Sequence, residues 1–264
     1  MKFFHMTFKI KGQVLLLAFL ICWISHTSTA QSKKENTVLV AAASDLKFAL
    51  DAIILEYTSI KPVKIEAIYG SSGKLFEQIF NKAPFHIFMS ADIQYPTLLA
   101  ERGLAGSAVF HYGVGRLVLW SKNMDTGKSG IELLTDPRVK KIAIANPQHA
   151  PYGRGAEEAM KYYNVYPSIE KKLVFGENIS QTAQFVSTGA ADIGVIALSL
   201  ALAPNMKRLQ SSYFLIPEES HSPLLQGAII TAYGKDHQAA RDFFEFLKSD
   251  SALKILQFYG FSKP

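Results

Sequence analysis

Cysteine is almost absent: Cys22 is the one residue of its type among 264. It falls in the first thirty residues, which read as a leader, so the remaining chain offers no disulfide framework, no thiol nucleophile and no cysteine-based metal site. Long apolar runs are also lacking. Beyond the leader no stretch approaches the roughly 20 residues needed to span a bilayer. Dense Lys/Arg stripes are missing, which argues against a nucleic-acid partner. The seven histidines (His5, His26, His86, His111, His149, His221 and His237) show neither the i, i+4 nor the His-Glu spacing of a zinc site. No repeat of solenoid length and no low-complexity tract is visible.

The first thirty residues have the parts of a secretion signal. Lys2, Lys9 and Lys11 form a positive start, Val14 to Ile24 a short apolar stretch, and Ser28-Thr29-Ala30 a small-residue cleavage site before Gln31. Cys22 follows Ile21, not the small residue a lipid-anchor site wants. Cleavage after Ala30 leaves 234 residues; three of the 28 basic residues and none of the 22 acidic ones go with the leader, so the net charge becomes +3. The expected location is the periplasm.

Strands and helices alternate along the rest. Val38 to Ala43 is a continuous apolar run, as in a parallel strand buried on both faces. Leu46, Ala49, Leu50, Ile53, Ile54 and Tyr57 then recur at helical spacing. The alternation repeats through Val63–Tyr69, Leu75–Phe80, Ile87–Met89 and Tyr95–Arg102. It restarts after the glycine-flanked Tyr112–Gly115 with strands at Arg116–Ser121, Ile142–Ala145, Leu173–Phe175 and Ile193–Ile196. Helices are expected over Arg154–Tyr163 and Gln181–Thr188, and a last strand over Gly227–Tyr233 precedes two helices. The restart predicts two lobes, 31–114 with 226–264 and 115–225, each a mainly parallel sheet flanked by helices, joined by a two-strand hinge.

Four strand-to-helix turns stand out: Ser44, Ser71-Ser72, Tyr152-Gly153 and Asn178-Ile179-Ser180. A helix start presents free N–H groups and the positive end of the macrodipole. Hydroxyls from Ser44, Ser72 and Tyr152 would add donors beside them. Such a set suits a fully ionised tetrahedral dianion and needs no acceptor carboxylate. The plainer reading of each serine is an N-cap, a contribution of about 1 kcal/mol.

The motifs Val38–Ser44, Gly70-Ser71-Ser72-Gly73-Lys74-Leu75, Ala83-Pro84, Phe88–Asp92, Asn146–Gly153 and Tyr259-Gly260-Phe261 follow one another in an order that resembles the periplasmic molybdate-binding proteins of ABC transporters. The resemblance spans Val38 to Phe261. It implies a type II periplasmic-binding-protein fold, α/β in class, and a molybdate or tungstate dianion held by neutral donors. It further implies no enzymatic activity, no cofactor, no membrane span, a monomer and an ABC permease as partner. Carried over by position, Ser44 and Ser72 match serine ligands, Ile179 matches a backbone N–H donor, and Tyr152 matches a tyrosine donor of one branch. Another branch has its tyrosine where Ala197 stands here, so Tyr152 is expected to replace that hydroxyl. His86 stands where the family carries an acidic residue and reads as a structural substitution.

Two other readings remain open. The same fold suits another oxyanion, such as sulfate or phosphate. Ser71-Ser72-Gly73-Lys74 also matches the Ser-x-x-Lys pattern of serine hydrolases, although no Ser-Asp-Asn or Lys-Thr-Gly follows. Lys74 otherwise reads as a solvated side chain, and His149 as part of an exposed loop.

Overall fold

The computed structural model describes residues 37–209 and 211–264. The leader expected in residues 1–30 lies outside them. Strands β1 (Thr37–Ala43), β2 (Lys64–Gly70), β3 (Ile87–Ser90) and β4 (Phe110–Gly115) come first. Then follow β5 (Leu117–Trp120), β6 (Ile142–Ala145), β7 (Leu173–Gly176), β8 (Ile193–Ala197) and β9 (Tyr213–Leu215), and β10 (Leu224–Ile230) is last. They form two five-stranded sheets, ordered β2-β1-β3-β10-β4 and β7-β6-β8-β5-β9. The chain passes from the first sheet to the second at Arg116 and returns between Ile216 and Pro223.

Both sheets are mixed. β1 runs parallel to β3, and β6 parallel to β7 and β8. The strands next to the two crossings, β5 and β10, run antiparallel to both of their neighbours. β4 is a strand where the sequence pattern shows only a glycine-flanked segment. Glycine is a poor strand former, yet here it permits close approach: a Cβ on Gly115 would lie 2.1 Å from the Tyr152 hydroxyl. β10 begins three residues before the expected Gly227, because the buried Gln226 interrupts the apolar run and a register shift follows it.

Helices α1 (Lys47–Ile60), α2 (Ser72–Phe80) and α3 (Gln94–Glu101) flank the first sheet. In the second half, α4 (Pro151–Tyr162) and α5 (Ile179–Thr188) follow β6 and β7, and α6 (Gln238–Leu247) and α7 (Asp250–Phe258) end the chain. The alternation of side chains along β1 explains its unbroken apolarity. Val38, Val40 and Ala42 pack with Leu50 and Ile53 of α1 and with Phe243 and Phe244 of α6, whereas Ala41 packs with Leu75 and Ile79 of α2. A strand covered by helices on both faces has no polar side to show. The second sheet encloses its own core around Trp120, Ile144, Met160 and Val195. Ala43 and Ala91 from the first half join that core at the tips of β1 and β3. Parallel strands point their carboxyl ends the same way, so the strand-to-helix turns of each sheet gather at one edge.

His86 immediately precedes β3 and is buried. Its Nδ1 accepts the Leu39 N–H at 2.9 Å, and its ring packs against those of His237 and Tyr233 at 4.3 and 5.0 Å. Burial, assisted by the neighbouring His237, pushes its pKa down to about 4. The unfolded chain therefore binds the proton first, with an ordinary pKa near 6.5. This residue's contribution is complete above about pH 6.5 and is lost as pH falls toward 4. Urea unfolding between pH 4.5 and 7.5 should show a shallower acid loss in His86→Asn than in the wild type. The expected difference is on the order of 1–2 kcal/mol, discounted for partial solvent access.

Candidate functional site

Ser44, Ser72, Tyr152 and Ile179 line one small pocket. Each comes from a different strand-to-helix connection, two from either sheet. Ser44 opens a single 3-10 turn, Ser44–Leu46, that leads into α1. Its side chain does not cap that turn. The Oγ donates to Asn178 Oδ1 at 3.2 Å and accepts the Ser180 N–H at 3.3 Å, while Ser180 Oγ donates to the Ser44 carbonyl at 2.8 Å. Ser44 is thus tied to the start of α5, and its proton reaches the cavity only if the hydroxyl rotates.

Ser72 is the first residue of α2 and is 1% exposed. Its Oγ accepts the Ala91 N–H at 2.9 Å, and its proton has no acceptor among the described residues. That proton is free to donate into the cavity. Ser71 occupies the cap position without capping; its Oγ meets His149 Nδ1 at 2.9 Å. At the start of α5, Asn178 Oδ1 accepts the Gln181 N–H and Ser180 bonds Ser44, which leaves the Ile179 N–H without a partner among the described residues. Asn178 is therefore a true helix cap, while the serines are not.

Tyr152 is the second residue of α4, after Pro151 at the first position, where proline suits a helix. It is 2% exposed. Its hydroxyl accepts from Gln226 Nε2 at 3.1 Å and lies beside the Asp45 carboxyl. Burial, then the Asp45 charge, push its pKa well above the ordinary phenol value. The next residue sets its place. A Cβ on Gly153 would stand 2.1 Å from the Ala145 carbonyl oxygen, so glycine lets α4 start directly against the end of β6. Ala197 ends β8, fully buried, and does not line the cavity.

The expectation of donors alone is corrected by Asp45. It lines the cavity, is 1% exposed, and its Oδ2 accepts from Gln226 Nε2 at 2.7 Å. Its Oδ1 is buried without a partner. Burial raises its pKa to about 6, against the lowering influence of Gln226, of the nearby Tyr152 hydroxyl and of the backbone N–H groups of Asp45 and Leu46. Gln226 Oε1 in turn accepts from the Tyr112 hydroxyl at 2.8 Å, which also lies 2.9 Å from the Ser90 carbonyl. The sequence signal was an aspartate directly after the first serine, but its side-chain partners, Tyr152 and Gln226, lie more than a hundred positions away and leave no local trace.

Three contacts fasten the rim. Lys74 pairs with Glu177 at 2.5 Å, so it is not merely a solvated side chain. Arg154 pairs with Asp92 and donates to the Tyr95 hydroxyl at 3.4 Å. The His149 carbonyl accepts the Gly73 N–H at 2.9 Å, which makes the His149 loop part of the contact between the two halves. Desolvation holds the His149 pKa below the usual imidazole value. Among the described residues no cluster of His, Cys, Asp or Glu could hold a metal ion, and no helix is long and apolar enough to cross a membrane.

Two lobes crossed twice by the chain, with helix starts from both around one small cavity, define a two-lobed solute-binding protein. Residues 38–262 match the family described as bacterial extracellular solute-binding protein, and the chain belongs to that family. It is a family of solute-binding transport proteins, not of enzymes, and the hydrolase reading falls with it. The molybdate-binding protein ModA of Rhodobacter capsulatus is 34% identical over 244 residues, covering 89% of this chain and 94% of the relative. The ModA of Azotobacter vinelandii is 34% identical over 226 residues, covering 85% and 89%. Among solved structures, the Azotobacter vinelandii periplasmic molybdate-binding protein superposes with a TM-score of 0.80 at 27% identity, covering 86% of this chain and 99% of that one.

Gly153→Ala should push α4 away from β6 and carry Tyr152 with it. The expected loss is about 1–3 kcal/mol of stability, the range for overpacking a tight contact. Urea denaturation of the variant beside wild type measures it.

Proposed function

We propose that the protein captures molybdate, or tungstate, between its lobes and delivers it to an ABC permease. One observation carries the reading: four helix starts from two lobes meet at one cavity, where the Ser72 hydroxyl proton and the Ile179 N–H are left without acceptors. Both are neutral donors, and an anion held by converging hydrogen bonds needs no buried cation. The molybdate-binding relatives, at 34% identity over most of their length, support the same ligand. The proposed ligand set is Ser44, Ser72, Tyr152 and Ile179, with Tyr152 standing in for the hydroxyl that Ala197 lacks. The proposed lobes are 31–114 with 226–264 and 115–225. The basic start, apolar stretch and small-residue site within residues 1–30 support export to the periplasm, and we read the working form as a monomer.

Size gives the selectivity. Sulfate has shorter bonds than molybdate, so a cage matched to the larger ion loses contacts with the smaller one. Each charge-assisted bond lost is worth roughly 1.5–3 kcal/mol. Calorimetric titration of the anion-stripped protein should give tight 1:1 binding of molybdate and tungstate, with sulfate and phosphate silent. Ser72→Ala should weaken molybdate binding about 10- to 100-fold, one charge-assisted bond's worth. Wild-type affinity in Tyr152→Phe would remove Tyr152 from the ligand set, and silence toward molybdate and tungstate would refute the reading.

A further inference from the structure

We propose that Asp45 is a fifth ligand-facing group, and that it holds a proton on Oδ1 whenever a fully ionised oxyanion occupies the cavity. This rests on the oxyanion reading of the site. Capture then takes one proton from solvent: the empty site with an Asp45 carboxylate, the dianion and one proton give the occupied site with an Asp45 carboxylic acid.

The geometry supplies the argument. Asp45 lies in the wall of the cavity, 1% exposed, among the donors that would surround the anion. Its Oδ2 is occupied by Gln226 Nε2. Its Oδ1 is buried and has no hydrogen-bond partner in good geometry among the described residues, although the Tyr152 hydroxyl and the N–H groups of Asp45 and Leu46 lie near the carboxyl, and a buried polar atom rarely stays so without a function. An ionised Oδ1 could only accept, and a dianion also only accepts, so the two would repel across the pocket. A protonated Oδ1 becomes a donor and resolves both problems with one proton.

Among the described residues no cation offsets the carboxyl. The titratable groups facing it are Tyr152 from α4 and Tyr112 from β4, both uncharged and both pushed up by burial. Helix α5 and the short helix Leu198–Ala201, which pack on its turn, contain no titratable residue; Ser199 Oγ donates only to the Asp45 carbonyl. On α1, Lys47 pairs with Asp51 at the surface. At the rim, Arg154 is paired with Asp92 and Lys74 with Glu177, and His149 bonds Ser71. Burial outweighs the neighbouring hydrogen-bond donors and already raises the Asp45 pKa to about 6. A second negative charge beside it raises it further.

The sign follows from linkage. Above about pH 6 the empty site is mostly ionised and must gain a proton on binding, so affinity falls as pH rises; below that pH it is already protonated and affinity levels off. Calorimetry of molybdate binding to the wild type at pH 8, in two buffers of different ionisation enthalpy, should report uptake of about one proton. The molybdate Kd should rise about tenfold per pH unit between 6.5 and 8.5. Asp45→Asn should abolish the uptake, flatten the pH profile and bind more tightly than wild type at pH 8. Molybdate binding by the wild type with no proton uptake and a flat profile overturns the Asp45 proposal and leaves the oxyanion reading standing. So does uptake that persists in Asp45→Asn. Preference for phosphate without uptake also overturns it, because the ligand would then carry the proton. A wild type silent to all four oxyanions overturns both. Should Asp45→Asn fail to fold, the wild-type proton count decides.

Discussion

An anion that leaves water must recover the hydrogen bonds it leaves behind, and a cavity built without cations has only N–H and O–H groups to offer. That constraint shapes the whole molecule. Helix starts are the one part of a folded backbone with N–H groups to spare. Parallel strands bring several such starts to one edge of a sheet. One sheet can surround only one side of an ion, so two lobes are required, and the chain must pass between them. The mixed sheets follow from those passages, because β5 and β10 insert antiparallel, separated by β8 and β3 from the strands that carry the turns.

The polar network behind the cavity ties those passages to the site. Tyr112 lies on β4, just before the first crossing, and Gln226 on β10, just after the second. Gln226 bridges Tyr112, Tyr152 and Asp45, so both crossings and both lobes meet at one buried amide. A buried network of this kind holds a single arrangement because each missing bond is costly in low dielectric. Movement of one lobe against the other would have to break or carry these bonds. The rim pairs Lys74–Glu177 and Arg154–Asp92 are more exposed and hold the lobes less firmly.

Much of the fold was legible along the chain. The apolar run Val38–Ala43 and the helical spacing after it appear as β1 and α1, with boundaries shifted by a residue or two. Ile142–Ala145 matches the pattern end for end. The strands hidden from the pattern are those whose reasons are not local. β4 carries two glycines that Tyr152 and the C-terminal segment press against, and β9 is a short edge strand with little burial to mark it. The start of β10 was obscured by Gln226, a polar residue buried for the sake of the network.

Ser44, Ser72, Tyr152 and Ile179 could be named from the sequence because a strand followed by a helix start is a local pattern, and motif order made it specific. Periodicity, capping positions and the order of motifs are all functions of neighbours in the chain, so the sequence determined the elements, the two-lobed class and the candidate donors. The state of each donor was decided only in three dimensions. Ser44 is engaged by Asn178, 134 positions away, while Ser72 keeps its proton; Lys74 pairs with Glu177 at the surface; and Asp45 is left with one bare oxygen in the wall of the proposed anion pocket. Those outcomes depend on which groups the two lobes bring together, and no local pattern encodes a contact between residues so far apart.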